Sequence, residues 1–112
     1  MVVFCHHPLD EQVCSPHWYF RTHPTHALAV HRERARALFA RSGRVRAVLS
    51  GHMRWNHTEV IEGSPCITVE SLVDCSFTNR QPAGGFSEVL LEEGGRVEVR
   101  VRGGLPMEFT YP

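Results

Sequence analysis

The chain has 112 residues, with twelve acidic and twelve basic side chains that cancel to a formal net charge of zero. That length suits one small domain over residues 1–112, and the charge balance gives neither the basic footprint of a nucleic-acid binder nor that of a membrane-surface protein. No run approaches the ~20 apolar residues of a membrane span. Every basic residue is Arg, and eight His raise the prior on metal or acid–base chemistry. The four cysteines, Cys5, Cys14, Cys66 and Cys75, form no CxxC pair or zinc-finger spacing. With no signal-peptide pattern at the start, the expectation is a cytoplasmic protein with reduced thiols.

Met1 to Cys5 is an apolar, β-branched run closed by His6-His7-Pro8, which suits a strand buried in a parallel sheet. Because so apolar a strand opens the sequence without a lead-in, further chain is expected upstream. Residues 10–25 are polar, with two prolines and the cluster Trp18-Tyr19-Phe20, and read as a long loop in which Trp18 and Phe20 pin the chain to the core. Thr25 to Ser42 reads as a helix. Thr25 is the N-cap, Leu28, Ala35, Leu38 and Phe39 share one face, and Gly43 is the C′ residue.

Val45 to Ser50 is a second apolar strand, ending in Gly51-His52, so strand, helix and strand form a βαβ unit with parallel strands. The second half is expected to be antiparallel. His57 to Ile61 and Cys66 to Glu70 flank a turn at Glu62 to Pro65. Phe86 to Glu92 and Arg96 to Arg102 form a hairpin around Gly94-Gly95, and Asp74 to Gly85 is a loop.

Ligands of open α/β sheets bind outside the carboxyl ends of the strands. The two legible ends carry His6 and His52, which the βαβ argument projects into one crevice as half of a transition-metal site. His17, His23, His26 and His31 lack an H-x-x-x-H pair with a matching Glu and are expected on the surface. Asp10 and Asp74 are carboxylates whose positions the pattern leaves open. Cys5 should face away from His6 and act as a core residue rather than a nucleophile.

Val2-Val3-Phe4-Cys5-His6-His7-Pro8-Leu9 resembles the strand-then-His-x-Pro motif of the calcineurin-like metallophosphoesterases. Val48-Leu49-Ser50-Gly51-His52-Met53-Arg54-Trp55-Asn56 resembles their Gly-His-x-His motif. Residues 61–73 and 84–95 resemble the segments that follow it, so the likeness spans nearly the whole chain. It implies the C-terminal half of an αββα sandwich: one βαβ unit followed by antiparallel hairpins. It also implies a phosphate mono- or diesterase using two metal ions, which need Asp-x-His, Gly-Asp-x-x-Asp and Gly-Asn-His motifs that this chain lacks. By the resemblance, His6 and His52 are ligands of one divalent transition-metal ion (Mn, Zn or Fe). Arg54 stands where the family has its second His, so His57 is a further ligand candidate, and Arg54 with Asn56 is expected to contact phosphate. The implied substrate is a small phosphate ester. The implied partner is a second copy in a homodimer, or a chain carrying the N-terminal half. The alternatives are a non-catalytic remnant that binds a metal or phosphate, and a homo-oligomeric assembly module.

Overall fold

The structure of the protein is a computed structural model that describes residues 1–76 and 78–112. Phe77, inside the expected 74–85 loop, lies outside the described residues. The strands are Val2–Cys5 (β1), Ala47–Ser50 (β2), His57–Ile61 (β3), Ser64–Thr68 (β4), Phe86–Leu91 (β5), Val97–Arg102 (β6) and Met107–Tyr111 (β7). Among the described residues, one α-helix, Arg32–Ser42 (α1), and a 3-10 turn at Pro24–His26 complete the elements.

The fold is mixed α/β with two sheets. The first has the order β1-β2-β4-β3, with β1, β2 and β4 parallel and β3 antiparallel to β4. The second is the antiparallel meander β5-β6-β7. Strand β2 is apolar up to its last residue, Ser50, because both of its faces are covered. On one side Val48 packs with Leu9 and Cys66 against Ala35 and Phe39 of α1. On the other side Ala47 and Leu49, with Ile67 of β4, meet Val97, Val99 and Val101 of β6 and Phe109 of β7. Strand β6 alternates: its valines face the core, while Glu98, Arg100 and Arg102 face outward and pair along the sheet with one another, Glu88 and Glu108. The outer face of the second sheet is therefore solvated and carries these ion pairs, with Phe86 and Leu90 of β5 exposed among them.

Several expected boundaries move. The helix starts at Arg32, not Thr25, because Thr25 lies in the 3-10 turn and the Ala29 N–H donates to Pro8 O, tying this stretch to the loop after β1. No side chain caps α1 at His31, whereas Gly43 ends it in the left-handed conformation (φ 61°), donating to Phe39 O and Ala40 O. The helix face also differs. Leu38 is exposed, and Arg36 is buried, its guanidinium spent on Leu9 O and Glu11. The β3–β4 connection is the two-residue turn Glu62-Gly63, both with positive φ, so β4 begins at Ser64 and ends at Thr68 rather than Glu70. Strand β7 was not expected; Gly103, Gly104 and Pro106 mask it as loop. Phe20 is buried as a loop pin, but Trp18 is exposed. No helix among the described residues is long and apolar enough to cross a membrane.

Candidate functional site

The three parallel strands of the first sheet end side by side, and their carboxyl ends present His6 and His7 after β1, Gly51 and His52 after β2, and Val69 and Glu70 after β4. A cleft lined by His6, Gly51, His52, Arg54, Val69, Glu70 and Ser71 opens over these ends. Beside it lies an aromatic cavity of 520 Å³ whose walls include His7, Trp18, Phe20 and His26; His52 and Arg54 line both.

The expected pair meets here. His52 Nδ1 lies 3.0 Å from His6 Nε2, and His52 Nε2 lies 2.8 Å from the His26 carbonyl oxygen. A carbonyl only accepts, so His52 Nε2 carries the hydrogen. In the neutral ring Nδ1 then accepts from His6 Nε2–H. Replacing that one shared proton by a cation is the fit test for a metal. Two imidazole nitrogens about 2.1 Å from one ion stand about 3.0 Å apart at right angles and about 3.4 Å apart in a tetrahedral site. The hydrogen-bonded separation of 3.0 Å therefore suits an octahedral ion as it stands and a tetrahedral one after a small opening. The anchoring of the far ring nitrogen on a backbone carbonyl is also what metal-bound His side chains use to fix their tautomer. His7 joins as a third ring, with centroids 4.1 Å from His52 and 5.0 Å from His6. Burial first, then the neighbouring His52 and His6, lowers its pKa and keeps it neutral.

The loop that carries His52 is strained. His52 (φ 64°) and Arg54 (φ 63°) both hold left-handed backbone conformations, uncommon for such residues. Strain of this kind, about 1–3 kcal/mol per residue, concentrates at functional sites. Arg54 is half exposed, and its guanidinium lies 3.7 Å from the buried carboxylate of Asp74. Asp74 in turn accepts from the Ser76 N–H and hydroxyl.

Glu70 was missed from sequence because its strand was expected to run through it. In the structure it sits just past β4, buried, with Oε2 shielded and without a hydrogen-bond partner among the described residues. Burial raises its carboxyl pKa; the Leu105 N–H opposes this and Asp74 adds to it. The missing Cβ of Gly85 makes room, since one built there would stand 3.2 Å from the Glu70 side chain.

Other expected residues fall elsewhere. His57 and Asn56 line a separate, largely apolar groove with Val13, Pro16, Trp55, Leu105, Pro106 and Met107. The Asn56 amide is engaged at both ends, donating to Leu105 O and accepting from the Glu70 N–H. His17 is buried rather than on the surface, where its Nδ1 accepts from the Tyr19 and Phe20 N–H groups. His23, His26 and His31 are exposed. Asp10 is fully buried, held by the Gln12 amide, which also reaches Thr68 Oγ1. The Cys5 thiol donates toward Leu49 O and His7 O, and burial, then Asp10, raises its pKa, so it stays protonated. All four thiols are free.

No protein-family model, curated protein or solved structure matches the chain.

Proposed function

We propose that the chain carries part of a metal-dependent phosphoesterase centre of the calcineurin-like kind, in which His6 and His52 hold one divalent transition-metal ion, Mn, Zn or Fe. The observation that carries this reading is the 3.0 Å approach of His6 Nε2 to His52 Nδ1 at two adjacent parallel strand ends, with His52 anchored on His26 O. When bound, such an ion polarises a phosphoryl oxygen and acidifies its bound water. Arg54 offers a permanent, forked cation to a phosphate oxygen at the mouth of the same cleft. Glu70 lines the same cleft, and its burial raises its carboxyl pKa and so favours the neutral acid over the carboxylate. The carboxylate ligands of a two-metal site would come from outside these 112 residues, supplied by another chain or by further sequence. The four free thiols suit a reducing, cytoplasmic setting.

Manganese titration of the chain, followed by inorganic phosphate, tests this reading. The expected result is one tight ion, phosphate affinity that depends on that ion, loss of both in His52→Ala, and loss of phosphate alone in Arg54→Ala. Manganese binding indifferent to His52→Ala, or phosphate binding indifferent to manganese, rejects it.

One observation favours self-association alongside this activity. Strand β1 is a sheet edge, and its Phe4, on the face toward β5, is 69% exposed. Pairing of two copies along this edge would cover it. Sedimentation at micromolar concentration distinguishes the dimer from a monomer.

A further inference from the structure

A second cluster of ligand atoms lies outside that cleft. His57 and Glu59 stand two apart on the edge strand β3 and face the same side, where the loop after β1 brings Asp10. One ligand atom from each of the three lies within 4.8 Å of the other two. His57 Nε2 is 3.9 Å from Asp10 Oδ2 and 4.0 Å from Glu59 Oε2.

These separations are too long for hydrogen bonds. His57 Nε2 is nonetheless shielded from solvent and has no hydrogen-bond partner among the described residues. Asp10 sharpens the anomaly. Its carboxylate is buried, and its only ion-pair partner among the described residues is this same imidazole. A buried carboxylate calls for a counter-charge, and a buried ring nitrogen for a partner.

We propose that Asp10, His57 and Glu59 bind a divalent cation, with zinc favoured, at a site distinct from His6 and His52. One imidazole and two carboxylates neutralise a dication and suit borderline metals, and zinc binds more tightly than manganese or iron(II) at such ligands. Tetrahedral zinc spans about 3.4 Å between neighbouring ligand atoms at its usual bond lengths of about 2.0–2.2 Å. The two His57 edges of the cluster therefore contract by about half an ångström on binding, and the Asp10–Glu59 edge by up to about 1.4 Å. His57 and Glu59, both on the edge strand and partly exposed, supply that movement; Asp10 is held by Gln12. Outer partners already orient the carboxylates: the Gln12 amide donates to both Asp10 oxygens, and the Glu11 N–H donates to Glu59 Oε2.

The test is zinc titration of the whole chain with His6→Ala and His52→Ala, so that the first site is silent, with and without Glu59→Gln. The expected result is one zinc per chain, with affinity falling by about tenfold or more on Glu59→Gln, and a zinc-dependent rise in Tm that the same substitution removes. No stoichiometric zinc in the folded double variant, or equal affinity with Glu59→Gln, overturns the proposal. If the double variant does not fold, wild type and Glu59→Gln are compared directly. One zinc fewer in Glu59→Gln is expected, and equal counts overturn the proposal.

Discussion

Gln12→Ala should be among the most damaging single changes outside the apolar core. Its side chain ties the loop after β1 to β4 and to Trp55. Nε2 donates to Asp10 Oδ1 at 2.9 Å and to Thr68 Oγ1 of β4 at 2.9 Å, while Oε1 accepts from Trp55 Nε1 at 2.7 Å. Truncation removes one charge-assisted bond, worth about 1.5–3 kcal/mol, and two neutral ones, worth about 1 kcal/mol each. It also strands a buried carboxylate. A loss of about 4 kcal/mol is expected, a large share of the roughly 5–15 kcal/mol typical of a domain. Urea denaturation of Gln12→Ala, Asp10→Ala and the double variant isolates the shared contact. The account predicts a coupling of about 1.5–3 kcal/mol between the two positions, because each substitution alone removes the same bond. A coupling below about 0.5 kcal/mol would show that Gln12 does not hold Asp10, and the buried network would then be wrong.

Three other outcomes follow from individual environments. Glu70 has a raised folded-state pKa, so its contribution to stability is greatest below the unfolded value of about 4.3 and is lost as pH rises through the folded value. Glu70→Gln should therefore raise Tm at pH 7, with the gain fading in acid; a lower Tm at pH 7 would contradict this. Gly103, at φ 124°, has carbonyl oxygens of Ala83 and Gly84 2.8 Å from where a Cβ would stand. Gly103→Ala should cost about 1–3 kcal/mol in urea melts, while Gly94→Ala, with open space around it, should stay within about 0.5 kcal/mol. Burial, then Asp10, pushes the Cys66 thiol up to about 12, whereas Cys75 is exposed. Iodoacetamide at pH 8 should label Cys75 in the native chain and Cys66 only on unfolding.

What was legible from residues alone was the parallel pairing of the apolar strands, although β1 is a half-covered edge strand with Phe4 exposed rather than a buried one. The apolar runs ending at Cys5 and Ser50 mark parallel neighbours, and their ends place His6 beside His52. Gly43 was readable because its left-handed conformation favours glycine, whereas the pattern put a turn at Glu62 to Pro65 and only Glu62-Gly63 form it. The helix start was not, because a tertiary bond from Ala29 to Pro8 overrides the local pattern. Nor was the burial of Arg36 and Gln12, whose partners lie far away in sequence (Leu9 for Arg36 and Thr68 for Gln12), nor that of Asp10, which Gln12 holds. Glu70 joined the cleft only once β4 was seen to stop at Thr68. The pairing of His57 with Asp10 depends on the long loop after β1, where periodicity carries no signal.

The most direct measurement is anomalous diffraction from crystals of the chain grown with manganese, collected where the ion scatters strongly. The account predicts a peak between His6 Nε2 and His52 Nδ1, with the far nitrogen of His52 still on the His26 carbonyl. Density showing the two rings hydrogen-bonded to each other at full manganese concentration, with no peak between them, would contradict it.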